Sequence, residues 1–226
     1  GFLHGADDNA GAGIGTSLWV SNGDGTFKTC QISDAGFSRD NVGTETFGHD
    51  GNASSFFEDV NGDGIADIVH ATETGANAIY VYLGRGDGSF EKTAITTTGM
   101  QTGTDGYLFA GQSNAEQSFM ADVDGDGKLD YAFSGNDNKM NVWRGNGDGT
   151  FQLSRITTVM TGANVYTLAG MWYGETSFMK DVNADGKLDI LVSRPAAPEI
   201  VVYLGDGVGA FTAAAPLTLP DGGSAF

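Results

Sequence analysis

Three short segments of the chain concentrate acidic side chains at a spacing that suits a hard cation. They read DVNGDGIAD at 59–67, DVDGDGKLD at 122–130 and DVNADGKLD at 181–189. Each has Asp at position 1, Asn or Asp at position 3, Asp at position 5, Gly at position 6 and Asp at position 9. Oxygens at positions 1, 3 and 5 converge when the loop curls, and the glycine permits that turn. The carbonyl at position 7 and the carboxylate at position 9 then complete the shell.

Calcium is the cation that this donor set favours. It takes six to eight oxygen ligands at about 2.3–2.6 Å, whereas magnesium prefers a strict octahedron and keeps its waters. No His or Cys joins a cluster, which disfavours zinc. Polar turns explain one or two acids per loop, but not three or four carboxylates that repel one another within nine residues. The sequence predicts three calcium ions, which at +2 each would change the formal charge from −18 to −12.

The loops differ from EF-hands in the residues at their C-terminal side. An EF-hand carries Glu at position 12, whereas this chain has His70, Phe133 or Val192 there, within strand-like residues. We therefore interpret each segment as a nine-residue loop between two strands.

The elements that position these loops are repeated. The loop starts are 63 and 59 residues apart, a period typical of tandem structural units. An alternating apolar run that ends in a Gly-Asp-Gly turn and an aromatic comes after each loop, at 79–90, 140–151 and 200–211, and a further copy at 17–27 has no acidic loop before it. Period-two alternation and hairpin turns predict four short antiparallel strands per unit of about 60 residues, as in a β-propeller blade. The fourth strands are predicted at 90–96, 151–157 and 211–219.

The repeat predicts an all-β fold, either one β-propeller domain or a fragment of one, with three full blades and one incomplete blade. The predicted blade ranges are 1–53 (partial), 54–116, 117–175 and 176–226. Residues 1–11 align with 67–77, so the chain opens at the second strand of a blade, and 222–226 match only the start of a first strand. Three explanations stay open: a fragment of a larger ring, completion of the first blade by the C-terminal segment, or strand addition from a neighbouring subunit.

The loops that lead into DIV or DIL, together with hairpins such as YVYLGRGDGSF, resemble FG-GAP/VCBS-type repeats across essentially the whole chain. Such repeats build integrin α-subunit propellers, calcium-containing fungal propeller lectins and many bacterial secreted or surface proteins. The resemblance implies that calcium lies between the first two strands of a blade and mainly stabilises it. The implied ligands are Asp59, Asn61, Asp63, Ile65 (carbonyl) and Asp67; Asp122, Asp124, Asp126, Lys128 (carbonyl) and Asp130; and Asp181, Asn183, Asp185, Lys187 (carbonyl) and Asp189.

Charge and hydropathy restrict the partners. A formal charge of −18 with only 11 basic residues argues against nucleic acid, because binding a phosphate backbone needs clustered Lys and Arg. No apolar run approaches the eighteen or so residues of a membrane span. No His lies near a nucleophile and an acid in a recognisable order, so we expect no enzyme. Modest-affinity calcium sites favour an extracellular location, where calcium is millimolar.

The connections between blades, at 33–53, 99–117 and 160–175, are rich in Gly, Thr, Asn and aromatics. Aromatic faces beside amides and carboxylates suit a sugar, and the candidate ligand-binding residues are Tyr107, Phe109, Tyr166, Trp172 and Tyr173. These aromatics could instead pack between blades. The chain is thus predicted to be a calcium-binding module for adhesion or binding, directed to a glycan or a protein surface. The alternative is a structural repeat unit of a surface or filament assembly, completed by strand addition through its incomplete blade.

Overall fold

The described part of the chain is built from β-strands. The computed structural model describes residues 2–5, 16–21, 24–31, 53–72, 78–96, 117–134, 140–154, 176–194, 199–214 and 217–218, and these contain no helix. The strands form four antiparallel sheets whose members succeed one another in chain order, because each pair is joined by a local turn or loop. The predicted all-β class with four-stranded blades is confirmed.

Each sheet corresponds to one blade. Blade 1 contains β1 (Phe2–Gly5), β2 (Thr16–Ser21) and β3 (Phe27–Gln31). Blade 2 contains β4 (Ala53–Glu58), β5 (Asp67–Thr72), β6 (Ala78–Gly84) and β7 (Phe90–Thr96). Blade 3 contains β8 (Gln117–Ala121), β9 (Asp130–Ser134), β10 (Met140–Gly145) and β11 (Phe151–Ser154). Blade 4 contains β12 (Thr176–Lys180), β13 (Asp189–Arg194), β14 (Glu199–Gly205), β15 (Phe211–Ala213) and β16 (Leu217–Thr218).

The fourth strand of blade 4 differs from its prediction. A single strand was expected at 211–219, but β15 ends at Ala213 and only β16 resumes the pairing with β14. The register changes by one residue between the pairs Tyr203↔Ala213 and Ile200↔Leu217. Residues 215 and 216 lie outside the described part of the chain. A one-residue register change also occurs in blade 2, between Val81 and Tyr82 of β6 where they pair with β7, and that fourth strand contains no proline.

The two faces of each blade bury different residues. In blade 3, one side packs toward blade 4 and the other toward blade 2, as the period-two alternation of side chains requires. We call face A the side that carries Phe119, Val123, Ala132 and Val142 in blade 3, and face B the side that carries Tyr131, Phe133, Trp143 and Phe151; equivalent residues define the faces of the other blades.

The blades stack through these faces. Face A of blade 2 forms one core cluster with face B of blade 3, and face A of blade 3 forms another with residues of blade 4 such as Ile190 and Tyr203. Phe56 meets Tyr131 across the first junction in an edge-on contact, with ring centroids 6.1 Å apart. The first strands β4, β8 and β12 also lie next to one another. This order, with first strands adjacent and faces stacked, is that of consecutive propeller blades.

None of the described residues belongs to a helix long and apolar enough to cross a bilayer.

Candidate metal centre

Each acidic loop connects the first and second strands of its blade. The loops begin one residue after β4, β8 and β12, and their position 9 is the first residue of β5, β9 and β13. The last residue before each loop is paired with the last residue of the loop, as Glu58↔Asp67, Ala121↔Asp130 and Lys180↔Asp189. The two ends of each loop therefore lie next to each other on adjacent strands. The hairpin fixes both ends of all three loops in the same way.

The position 1 carboxylate accepts hydrogen bonds from two backbone N–H groups of its own loop. Its Oδ1 accepts a hydrogen bond from the N–H of position 4, at 2.8 Å from Gly62 to Asp59, 2.8 Å from Gly125 to Asp122 and 2.7 Å from Ala184 to Asp181. Its Oδ2 accepts from the N–H of position 6, at 2.8, 2.9 and 3.0 Å in chain order. Hydrogen bonds to an ionised acceptor are the stronger kind, so this one side chain holds the curl in each loop.

Positions 3 and 5 add two smaller turns. The side-chain Oδ1 of Asn61, Asp124 and Asn183 accepts from the N–H of position 5, at 3.0, 3.2 and 2.9 Å. The Oδ1 of each position 5 Asp accepts from the N–H of position 7, at 2.8, 2.9 and 2.9 Å. Such local bonds to the backbone two residues ahead are Asx-turns. The loop residues that carry acidic or amide oxygens therefore also satisfy the backbone donors of the loop.

The position 9 aspartates are buried completely. Asp67, Asp130 and Asp189 each have 0% exposure. Their Oδ2 accepts from the N–H of position 2, at 3.0, 2.9 and 3.0 Å. Their Oδ1 accepts from the glycine that ends the third strand, at 2.8, 3.0 and 2.9 Å. Each carboxylate thus connects the start of the loop, the second strand and the end of the third strand.

Burial changes the acidity of two of these groups. Desolvation raises the pKa of Asp67 and of Asp130 above the usual aspartate value, although the two backbone N–H donors act in the opposite direction. A buried carboxylate with only neutral donors is poorly compensated. Such an environment favours a positive charge nearby.

The glycine that ends each third strand is required by the loop. A Cβ on Gly84, Gly145 or Gly205 would lie 2.4, 2.2 or 2.0 Å from the carbonyl oxygen at position 8 of the loop. In blade 1 the same register position, opposite Phe27, is Ser21, and the sequence has no acidic loop before that strand. The glycine at the end of the third strand is therefore found in the blades that have an acidic loop, and serine replaces it in the blade that has none.

Loop 122–130 brings three carboxylates together. Ligand oxygens of Asp122, Asp124 and Asp130 all lie within 4.8 Å of one another. Two oxygens bound to one calcium at about 2.3–2.6 Å can be at most about 5 Å apart, so this set fits a calcium ion. Among the described residues this is the one such group of carboxylates and imidazoles, because the other two loops have Asn61 and Asn183 at position 3. These amide oxygens are also ligands that calcium accepts.

The second loop pairs its additional charge with a basic residue. Asp124 replaces the asparagine of the other loops, and Arg144 replaces Leu83 and Leu204 at the equivalent position of the third strand. The Nε of Arg144 lies 3.0 Å from Oδ2 of Asp124, whose side chain is only 11% exposed. A cation in this loop would therefore compete with Arg144 for Asp124.

Asp126, at position 5 of the second loop, is not a member of the converging group of carboxylates. Asp126 Oδ2 is 3.1 Å from the Nζ of Lys128, and this hydrogen bond lowers the pKa of Asp126. A hydrogen bond from the Asn183 side chain likewise lowers the pKa of Asp185. The residues Asp63, Asp126 and Asp185 are all exposed. Their part in cation binding, like that of the carbonyls of Ile65, Lys128 and Lys187, stays a prediction.

The predicted ligand-binding aromatics Tyr107, Phe109, Tyr166, Trp172 and Tyr173 lie outside the described residues.

Sequence reasoning missed Arg144 and the third-strand glycines as parts of the loop environment. Alignment of the repeats carries a signal for both, because Asp124 and Arg144 change together relative to the other blades, and glycine is absent where the loop is absent.

The fold is similar to that of β-propeller-type proteins of known structure. A lectin from Agrocybe aegerita, solved for its specific recognition of non-reducing terminal N-acetylglucosamine, is 29% identical with a TM-score of 0.64 over 91% of this chain and 46% of that chain. The Tc holotoxin pore of Photorhabdus luminescens is 16% identical with a TM-score of 0.57 over 97% of this chain and 9% of that chain. The second likeness shows the fold alone, and this chain spans about half the length of the lectin chain.

The repeats themselves identify the class of blade. Residues 59–114 and 122–171 match the FG-GAP-like repeat, which confirms the predicted resemblance. No curated protein matches the chain in sequence. The third loop, 181–189, lies outside the matched residues but repeats the hydrogen bonds of the other two.

We predict that Gly145→Ala destabilises the fold. Its Cβ would overlap the Leu129 carbonyl oxygen at 2.2 Å, and the backbone shift needed would cost about 3 kcal/mol and weaken the bond to Asp130. Urea unfolding measures this change. The control is Ser21→Gly at the equivalent position of blade 1, which should cost only about 0.5–1 kcal/mol through chain entropy, because no acidic loop precedes that strand. Equal effects of Gly145→Ala and Ser21→Gly would contradict the requirement.

We predict that Ala184→Gly stabilises the third loop. Ala184 has φ +63°, where the other loops have Gly62 and Gly125, and a side chain in this left-handed region costs about 1 kcal/mol. The opposite substitution, Gly125→Ala, should destabilise by about the same amount, because no atom lies within 4 Å of the added Cβ and only the backbone conformation opposes it. Thermal melts of both variants should shift in opposite directions. Shifts of the same sign would disprove the account.

Proposed function

We propose that this chain is an extracellular, calcium-binding propeller module that binds carbohydrate. The similarity to the Agrocybe aegerita lectin carries the proposal, because it extends over 91% of this chain at 29% identity. A shared fold does not by itself fix a function, but this likeness includes the sequence of the repeats. The chemical class proposed for the ligand is a glycan with a terminal N-acetylhexosamine.

Calcium is proposed as a structural ion of the blades. Asp122, Asp124 and Asp130 would hold it in the second loop, where their oxygens lie within 4.8 Å of one another. Equivalent oxygens of the first and third loops, with asparagine at position 3, would hold the other two ions. When bound, calcium supplies the positive charge that a fully buried aspartate and its acidic neighbours lack. Millimolar extracellular calcium would fill sites of modest affinity.

A binding role is proposed in preference to a catalytic one. The aspartates at positions 1 and 9 of every loop accept hydrogen bonds from backbone N–H groups with both carboxylate oxygens. Groups held in this way are suited to fixing a loop around an ion. The proposed sugar site lies in the connections between blades, which include Tyr107 and Trp172.

We predict that calcium stabilises the protein and that Arg144 limits this effect at the second loop. Calcium at about a hundredfold excess over its dissociation constant contributes about 2.7 kcal/mol per site, which for a domain of this size raises Tm by roughly 5–10 °C. Arg144→Leu removes the charge beside Asp124 and should increase calcium affinity at that loop by about five- to tenfold. Scanning calorimetry with calcium or chelator and titration calorimetry measure the two effects.

The matched control is Arg85→Leu, which removes the same charge from an exposed pair with Glu91. It should leave calcium affinity nearly unchanged. Identical melting with and without chelator would refute the calcium proposal, and equal effects of the two arginine variants would refute the role of Arg144 alone.

We predict that the protein binds N-acetylglucosamine and that chelator weakens this binding. Trp172→Ala or Tyr107→Ala should reduce the affinity for the monosaccharide at least about tenfold, since loss of an aromatic contact costs roughly 0.5–1.5 kcal/mol beyond its buried area. Titration calorimetry with a monovalent sugar keeps avidity out of the measurement. Phe178→Ser, which alters an exposed aromatic on a blade face, should bind as the wild type does. No binding to any sugar of a glycan array would exclude the carbohydrate proposal while leaving the calcium proposal intact.

A further inference from the structure

An asparagine followed by a glycine lies within the first acidic loop. Asn61 stands at position 3 and Gly62 at position 4. The peptide nitrogen after an asparagine can attack the side-chain amide carbon, and the attack is fastest when that next residue is glycine, because no Cβ blocks the approach. Asparagine is accordingly one of the thermolabile residues of proteins. The described residues contain one other such pair, Asn146–Gly147, in the turn between β10 and β11.

The folded loop engages both reacting groups in hydrogen bonds. The attacking group is the N–H of Gly62, which donates to Oδ1 of Asp59 at 2.8 Å. The amide of Asn61 donates from Nδ2 to Oδ2 of Asp63 at 2.9 Å, and its Oδ1 accepts from the N–H of Asp63 at 3.0 Å. These bonds direct the amide toward position 5 and the N–H toward position 1. The nitrogen can attack the amide carbon only after they break, so the reaction requires the loop to open.

A cation in the loop would hold the same groups. Asp59, Asn61 and Asp63 are three of the ligands implied for calcium here, and an amide oxygen is a donor that calcium accepts. A ligand that binds only the closed loop lowers the population of the open loop as its occupancy rises. Calcium should therefore slow any reaction that passes through the open loop.

We propose that Asn61 is a site of spontaneous deamidation and that calcium in the first loop suppresses this reaction. The attack forms a bond between the Gly62 nitrogen and Cγ of Asn61 and breaks the bond from Cγ to Nδ2. The Nδ2 group leaves as ammonia with the proton of the Gly62 N–H. Water then opens the cyclic imide at either carbonyl, which leaves aspartate or isoaspartate at residue 61. This inference rests on the calcium binding proposed above.

Water can reach the imide from the side of Gly62. Gly62 is exposed, and a Cβ added to it would meet no atom within 4 Å. The loop therefore supplies the co-reactant of the second step without any rearrangement of the blade.

The third loop has the same hydrogen bonds but a different residue at position 4. Nδ2 of Asn183 is 3.0 Å from Oδ2 of Asp185, and the N–H of Ala184 is 2.7 Å from Oδ1 of Asp181. The Cβ of Ala184 adjoins the attacking nitrogen, so deamidation of Asn183 should be slow even when this loop opens. Among the three loops, only the first combines asparagine with glycine.

The hairpin pair differs in the opposite way. Asn146 precedes a glycine, but its Nδ2 donates to Thr150 Oγ1 at 2.8 Å, and neither residue is an implied ligand of an ion. Deamidation of Asn146 should therefore proceed with or without calcium.

Deamidation would change the charge of the first loop. Aspartate at residue 61 gives this loop the four carboxylates of the second, but Leu83 stands where the second loop has Arg144 beside Asp124. The added charge would repel its neighbours and destabilise the empty loop. Isoaspartate instead lengthens the backbone between positions 3 and 4 and displaces the N–H that Asp59 accepts. A period without calcium would thus alter the loop irreversibly.

Peptide mapping by mass spectrometry measures the reaction at each asparagine of the whole chain. The protein is kept at physiological temperature and neutral pH, with calcium or with chelator. Asn61 should deamidate at least about tenfold faster in chelator than with calcium at a hundredfold excess over its Kd. Asn146 should react at nearly the same rate in both solutions, and Asn183 should react slowly in both.

Exchange of the position 4 residues provides matched variants. Ala184→Gly should give Asn183 a rate in chelator close to that of Asn61, with the same suppression by calcium. Gly62→Ala should abolish the fast reaction at Asn61. The loops accommodate either residue, because Ala184 already adopts φ +63° where Gly62 has φ +75°.

Several results would overturn the inference: no reaction at Asn61 in chelator, fast reaction at Asn61 in the Gly62→Ala protein, or an Asn183 rate that Ala184→Gly leaves unchanged. Equal suppression by calcium at Asn61 and Asn146 would also do so, because it would indicate opening of the whole domain. Equal rates at Asn61 in calcium and chelator, in samples whose Tm calcium raises, would overturn this inference alone. If neither the Tm nor the Asn61 rate responds to calcium, the proposed calcium binding is refuted as well.

Discussion

The structure depends on a buried carboxylate that accepts hydrogen bonds from two distant parts of the backbone. In every full blade, the aspartate at position 9 binds the N–H of the second loop residue and the N–H of the glycine that ends the third strand. Hydrogen bonds to a charged group contribute about 1.5–3 kcal/mol each when buried. The acidic loop is therefore fastened to the sheet, and the direction in which the other carboxylates converge is fixed by the blade.

Much of the fold was predictable from sequence because the same pattern of strand, acidic loop and alternating apolar run occurs three times. The strand before each loop, the strand after it and the alternating run of residues such as Ile79 and Val81 all appear where period-two patterning placed them. The register changes along the fourth strands of blades 2 and 4 show the limit of that patterning. Alternation alone carries no signal for a one-residue shift, so a single fourth strand was predicted at 211–219, where the described residues form β15 and β16.

The loop chemistry was less completely predictable. Sequence reasoning treated the carboxylates as mutually repulsive and compensated only by an ion. In the structure, backbone N–H groups already satisfy part of each acidic side chain, and Arg144 neutralises part of Asp124. Contacts across strands, such as that of Gly145 with the loop carbonyl, depend on distances that a linear pattern does not contain.

Because the backbone donors hold the loop in shape, its geometry would not depend on how tightly it binds an ion. In related repeats, exchange of Asn for Asp at position 3, or of Leu for Arg beside it, would change the ion affinity of one loop without altering the fold of the neighbouring blades. The second loop of this chain already differs from the other two in both places. Tandem duplication would then yield a graded series of sites on one scaffold, each filled at its own ion concentration.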